Sequence, residues 1–315
     1  MWFDRERRQW PQMSEARRLA RLKLPEGRLD MVLDTDTYNE VDDQFALAYS
    51  LLSPDRIHME AVYAAPFYND RSTGPEDGME KSHAEILRLL GHMGIDPEGL
   101  VYKGARDFMR GPEAPVDSPA AKDLIARARG REGDRPLIVG CIAALTNVAS
   151  AILMAPDIID RIVVVWLGGQ PTSFPFAREF NLSQDVFAAN AVLDSGVPMI
   201  RIPCLGVASH MLTTAQEMEA CIGGRNALCD ALLELFSAYS DDHFAWAKEL
   251  WDITVPAFMI NPEWFLTLLV PTPMVTELGH WAHDERRHRM LEAYGCDRNP
   301  IFRDMFQKLA AFERR

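Results

Sequence analysis

Residues 29–52 read "LDMVLDTDTYNEVDDQFALAYSLL". A short apolar run passes into five acidic residues, Asp34, Asp36, Glu40, Asp42 and Asp43, and then into a helical pattern. Adjacent carboxylates repel at neutral pH. Such a cluster is tolerated only if water solvates it, a proton is shared or a cation sits among the oxygens.

The same strand-then-helix rhythm continues along the chain. "IHMEAVYAA" precedes "EKSHAEILRLLGHMG", "RPLIVGC" precedes "ALTNVASAILMAP", and "RIVVVWLGG" precedes "QDVFAANAVLDSG" and "PMIRIP". This alternation predicts an α/β fold: an open, mainly parallel or mixed sheet with helices on both faces. Ligands in such sheets bind at the carboxyl ends of the strands, which is where the acidic cluster falls. Beyond about residue 225 the pattern changes to long helices, "NALCDALLELFSAYSDDHFAWAKELW" and "IFRDMFQKLAAFE", so the C-terminal portion is expected to be helical. No Gly/Ser/Pro-rich linker divides the chain. Residues 29–315 are expected to form a single domain, and residues 1–28, with the basic helical piece "SEARRLARLKL", a peripheral extension.

The chain has 315 residues, 48% of them hydrophobic, enough for a substantial core. With 33 basic and 46 acidic residues the net charge is −13, which disfavours nucleic acid as a partner and leaves a small neutral or cationic ligand. The five cysteines, Cys141, Cys204, Cys221, Cys229 and Cys296, form no C-x-x-C pair, as expected of buried thiols in a reducing compartment. No apolar run reaches the ~18 residues of a membrane span, and the N-terminus lacks the apolar core of a signal peptide. A cytoplasmic protein without a membrane partner is expected.

The acidic cluster has three readings. A solvated helix N-terminus accounts for one or two carboxylates but poorly for "DTD" and "DD" together. A phosphotransferase of the haloacid dehalogenase type would also end its first strand in D-x-D, although Tyr38 stands where that type has Thr or Val. The third reading is a calcium site, since a hard cation takes several carboxylate oxygens.

Here the sequence resembles the nucleoside hydrolases, the inosine-uridine-preferring type and its relatives, which open with D-x-D-P-G-x-D-D after the first strand. "DTDTYNEVDD" carries two additional residues between the halves. The resemblance continues in order to about residue 260. "AVYAAPFYND" is similar to the second strand ending in a ribose-contacting Asn, here Asn69. "CIAALTNVASAILMAP" is similar to the G-P-L-T-N turn whose carbonyl reaches calcium, here near Thr146. "REFNLSQDVFAANAVLDSG" is similar to the A-E-F-N segment, whose Glu and Asn, here Glu179 and Asn181, hold ribose hydroxyls.

The resemblance implies a Rossmann-like nucleoside hydrolase fold and a calcium-dependent N-ribosyl hydrolase, assembled as a homodimer or homotetramer. Calcium would be held by Asp36, Asp43, the carbonyl near Thr146 and Asp252, with Asn39 or Glu40 as alternatives to Asp36. Asp42 would be the general base that takes a proton from water. Asn69, Glu179 and Asn181 would fix the sugar, and Asn39 is a further candidate sugar contact.

The late H-D pair of the family appears as "WD", with Trp251 in place of the His that helps the base depart. The pair resembles the purine-specific branch, in which an indole stacks on the base. A replacement acid could lie at Tyr239 or His243, four apart on one helical face. Ser173 replaces a sugar-contacting Asn, "GARDFMRGPEAPVDSP" replaces a Gly-rich loop, and Phe108 within it is a candidate second ring. His210 stands where the family often has His. His280, His283 and His288 in "GHWAHDERRHRM" read as a solvated segment rather than metal ligands. A non-catalytic nucleoside- or ribose-binding protein on the same fold is the alternative function.

Overall fold

The computed structural model describes residues 8–314; residues 1–7, the start of the expected extension, lie outside the described residues. Twelve strands follow along the described chain: β1 (Leu29–Thr35), β2 (Ile57–Ala64), β3 (Val101–Lys103), β4 (Leu137–Cys141), β5 (Ile162–Leu167), β6 (Met199–Ile202), β7 (Leu212–Thr213), β8 (Lys248–Glu249), β9 (Phe265–Pro271), β10 (Met274–Val275), β11 (Trp281–Ala282) and β12 (Arg289–Cys296). Eight of them form one sheet in the order β3-β2-β1-β4-β5-β6-β12-β9, while β7–β8 and β10–β11 are separate pairs. Every pairing in the large sheet is parallel except β12 with β9.

Alternating residues of the central strands serve two cores, because both faces of a parallel sheet are covered. Met31, Leu33, Ile138, Val163 and Val165 pack on one face with Phe45 and Val255 from the helices Asp43–Leu51 and Thr254–Ile260. Val32, Val139, Val164 and Trp166 pack on the other with Val148 and Val192 from the helices Thr146–Met154 and Val186–Ser195. The strand order reverses direction between β1 and β4, and that switch point opens the crevice used for ligands in such sheets.

The C-terminal part departs from the helical reading in two places. The helix expected from Asn226 to Trp251 runs only over Ala227–Ser237. Beyond it the Asp242 carboxylate accepts from the backbone N–H of Phe244 at 2.9 Å, and Ala245 takes φ 54°, so a local turn outcompetes helix. Farther on the chain re-enters the sheet as β9 and β12. Arg201 on β6 and Glu292 on β12 form a fully buried ion pair, and Arg201 also donates to the carbonyls of Gly168 and Gln170 at 3.1 and 2.8 Å. That pair ties β12 to β6 and fixes the loop leaving β5.

The basic N-terminal helix spans Glu15–Arg21 and docks at the amino end of the sheet. Arg17 pairs with Asp160 at 2.5 Å and Asp134 at 2.8 Å, and Arg18 donates to the carbonyl of Gly196 at 3.1 Å. Those partners precede β5, β4 and β6, on the opposite side of the molecule from the acidic cluster. Among the described residues no helix is long and apolar enough to cross a membrane.

Candidate active site

β1 delivers the acidic segment into the switch-point crevice. Asp34 is fully buried, accepts from Asn147 Nδ2 at 2.8 Å and lies 3.5 Å from the Cys141 thiol; burial pushes its carboxyl up to about 7. Asn147 also accepts from the N–H of Ala105 at 2.8 Å, clamping the loop after β3 against β1. Gly104 permits this approach, since a Cβ there would stand 2.5 Å from Asn147 Nδ2 and 2.1 Å from the carbonyl oxygen of Ala64.

Asp42 and Asp43 lie where the helix Asp43–Leu51 begins, and Asp252 arrives from a tight 3-10 turn, Trp251–Ile253. Carboxylate oxygens of Asp42, Asp43 and Asp252 all lie within 4.8 Å of one another, and all three residues are buried. Thr35 donates to Asp43 Oδ1 at 2.5 Å, and the backbone N–H of Asp252 donates to Asp42 Oδ2 at 3.2 Å. Asp36 is wholly buried beside them, and among the described residues neither of its oxygens has a hydrogen-bond partner; nor has Asp43 Oδ2. Burial of an unpartnered carboxylate costs several kcal/mol unless it is neutralised or coordinated.

The electrostatics follow from that crowding. Burial, then repulsion from Asp42, pushes the Asp43 carboxyl up to about 8. Burial, then the charges of Asp43 and Asp42, holds Asp36 well above the usual carboxylate range, and Asp252 is raised likewise. Asp42 is pushed up only to about 6, by burial and Glu40, because the Lys248 ammonium pulls the other way. A set of buried, oxygen-only donors with orphaned lone pairs fits a hard divalent cation.

The other residues singled out in the sequence fall around this cage. The Glu40 carboxylate meets the ammonium of Lys248, with the Tyr239 hydroxyl at 3.4 Å, and the Asn39 side chain accepts from Asn69 Nδ2 at 2.8 Å. Of the three residues considered for the first ligand, Asp36 is therefore the one with free, buried oxygens. The Asn69 amide is tied further by the N–H of Arg71, which donates to its Oδ1 at 2.9 Å. Thr146 opens its helix at the carboxyl end of β4, with its hydroxyl on Asp185 at 2.8 Å. Glu179 caps a short helix, accepting from the N–H groups of Asn181 and Gly169 at 2.9 and 2.8 Å, and Asn181 donates to the carbonyl of Leu167 at 3.0 Å.

Several candidates stay apart from the cage. His243 bonds the carbonyl of Ser237 at 2.9 Å and stacks on Trp246 at 5.3 Å, so only Tyr239 of that pair turns toward Glu40. Ser173 and His210 are exposed, and Phe108 is half-buried. His280, His283 and His288 form no metal-binding group among the described residues. A second acidic group, Asp30, His58 and Glu60, is bridged by Arg131 through both carboxylates, which supplies its countercharge.

Lys248 is the site residue that sequence reasoning missed. The sequence places "WAKELW" at the end of an expected long helix and gives Lys248 no role. In the fold its side chain is 9% exposed, with Nζ 5.0 Å from the Tyr239 ring centre and 5.9 Å from that of Trp251. The available signal was the Ser/Asp-rich stretch before it, which breaks the helix.

Fold and cage together define an α/β protein, with a mainly parallel sheet, built around a site suited to a divalent cation. Residues 31–300 match the inosine-uridine preferring nucleoside hydrolase family, and the chain belongs to that family of N-ribosyl hydrolases. An uncharacterized protein of Schizosaccharomyces pombe is 33% identical over 105 residues, 31% of this chain and 34% of that protein; the match spans about a third of that relative's length. The purine-preferring ribonucleoside hydrolase of Gardnerella vaginalis superimposes with a TM-score of 0.67 at 21% identity, over 90% of this chain and 98% of that one. The inosine-uridine preferring nucleoside hydrolase of Bacillus anthracis gives 0.69 at 17% identity, over 90% and 100%. At these identities the likeness is one of fold.

The raised carboxyls have a measurable consequence. A carboxyl raised on folding binds its proton more tightly in the folded state, so its contribution to stability is present below the ordinary value near 4 and is lost as pH rises through about 6 for Asp42 and about 8 for Asp43. Chelator-treated protein should melt at a lower temperature at pH 8.5 than at pH 6, and millimolar calcium should raise the melting temperature more at pH 8.5. Equal melting at both pH values without a cation, or no response to calcium, would contradict the cage.

Proposed function

We propose that this protein hydrolyses the N-glycosidic bond of ribonucleosides, releasing base and ribose, with calcium as its cation and a preference for purine bases. The observation that carries the reading is the buried cage of Asp36, Asp43 and Asp252, with orphaned oxygens on Asp36 and Asp43 among the described residues, beside a fourth carboxylate, Asp42, raised to about 6 where Asp43 is raised to about 8. Asp36, Asp43, Asp252 and the Thr146 carbonyl would hold calcium. The bound cation would supply Lewis-acid polarisation of a water and an anchor for the sugar hydroxyls.

Asp42 accepts the water's proton. One of its oxygens is fixed by the Asp252 N–H at 3.2 Å, which orients the carboxylate and leaves the other available. A carboxyl pushed up to about 6 is mostly ionised at neutral pH, yet basic enough to share a proton in the transition state. Glu179 and Asn181, locked by backbone contacts, and the Asn39–Asn69 pair surround the sugar. Such locking keeps the anomeric carbon in line with the water. The half-buried ring of Trp251 adjoins Asp252 and gives the departing purine an aromatic surface.

Asp42→Asn should lower kcat for inosine by roughly 10²–10⁴-fold, as expected for a general base, while calcium affinity changes by no more than a few-fold. Near-full activity would remove Asp42 from the role. Calcium bound normally with no base release from any wild-type nucleoside assay would favour the nucleoside-binding alternative. For base preference, Trp251→Ala should reduce kcat/KM for inosine and guanosine several-fold more than for uridine and cytidine. Equal losses would remove the stacking argument.

A further inference from the structure

The departing base carries away the electron pair of the broken bond, and the chain has no histidine at the position before Asp252, where Trp251 stands. Among the nearby groups, His243 is turned to the carbonyl of Ser237, and the Tyr239 hydroxyl faces Glu40 at 3.4 Å. Lys248 is placed differently. Its ammonium lies 5.0 Å from the Tyr239 ring centre and 5.9 Å from that of Trp251, and Glu40 is its hydrogen-bond acceptor among the described residues. An ammonium carries three N–H donors. The other two have no protein acceptor among the described residues, on a side chain that is 9% exposed and next to the ring proposed to stack on the base.

The partner that holds Lys248 comes from the lengthened loop. Glu40 lies in the segment between Asp36 and Asp42 that carries two more residues than the D-x-D-P-G-x-D-D pattern, and its carboxylate reaches across to β8. The extension thus brings an acid to anchor a buried lysine at the edge of the cage. Arg71 closes the same corner, with its guanidinium 5.4 Å from the Tyr239 ring and directed to the Glu40 carbonyl at 3.5 Å.

We propose that Lys248 is the catalytic residue that protonates the departing base, with Glu40 as its positioning residue. The assignment rests on the N-ribosyl hydrolase reading above. As the bond from the anomeric carbon to the base nitrogen breaks, its electron pair goes to the base, and a proton passes to the base from the Lys248 ammonium. The water oxygen bonds to the anomeric carbon after losing a proton to Asp42. That proton returns through solvent to the Lys248 amine, so one water is consumed and ribose and neutral base are released. Burial opposes charge on Lys248, but the carboxylates of Asp42 and Glu40 outweigh it and raise its pKa, so the ammonium enters the step fully protonated and gives up its proton only as the base's electron pair develops.

The test compares inosine with 4-nitrophenyl riboside, whose phenolate departs without a proton. For Lys248→Gln the kcat for inosine should fall about 10²-fold, the lower end for a general acid, and at least tenfold more than for the aryl riboside. Lys248→Arg should show the same selective loss, because a guanidinium keeps the pairing with Glu40 but does not release a proton at accessible pH. That variant carries the test if Lys248→Gln fails to fold. Equal losses on both substrates would overturn the assignment and leave Lys248 a structural counter-ion. Wild-type protein that hydrolyses neither substrate would overturn the hydrolase reading and this assignment with it.

Discussion

The structure depends on how four carboxylates can be buried together at the end of one strand. Two unit charges about 4 Å apart repel by roughly 4 kcal/mol at the effective dielectric near a protein surface. Oxygens of Asp42, Asp43 and Asp252 all fall within 4.8 Å of one another, and Asp36 adds a fourth charge. The summed repulsion of the ionised set is on the order of 10 kcal/mol, as large as the whole stability of an ordinary domain. The fold can carry this cluster only with protons or a cation in it. Protons bound at Asp43 up to about 8 would hold the apo state together, and a divalent cation does so with the lone pairs left available for chemistry.

The surrounding elements serve that constraint. β1 brings Asp34, Thr35 and Asp36 to the switch point, and the helix Thr146–Met154 after β4 brings Asn147 to hold Asp34. The helix Asp43–Leu51 offers its N-terminus, where negative charge is favoured. The turn Trp251–Ile253 contributes a carboxylate and, through the Asp252 N–H, a donor that keeps Asp42 oriented. Outside the cage, the Lys248 ammonium offsets burial and the charge of Glu40 at Asp42, whose carboxyl rises to about 6 where that of its sequence neighbour Asp43 rises to about 8. Neighbouring carboxylates thereby acquire different jobs, one for the cation and one for water.

Much of this was legible in the sequence. The alternation of apolar runs and helical patterns up to β6 needs only local periodicity, and it located the acidic cluster at the carboxyl end of the first strand. The cluster's composition left a cation site and a phosphotransferase site open, because solvation of a helix end accounts for only one or two of the carboxylates, and the resemblance to the nucleoside hydrolases chose between them. What was not legible depends on pairing between distant segments. β9 and β12 look unremarkable alone and become sheet strands through each other and through the buried Arg201–Glu292 pair. The helix that stops at Ser237 does so because Ser240 and Asp242 bind local backbone, and that stop lets Lys248 reach Glu40 beside the cage. The two added loop residues could be counted, but the destination of Glu40 required the fold.

The central claim is that the carboxylate cage works through a cation on a ribonucleoside. Base release from inosine by purified protein, first stripped with a chelator and then resupplied with calcium, addresses it most directly. The account predicts no turnover in the chelated protein and recovery on adding calcium in excess. Undiminished release from the fully stripped protein would contradict it.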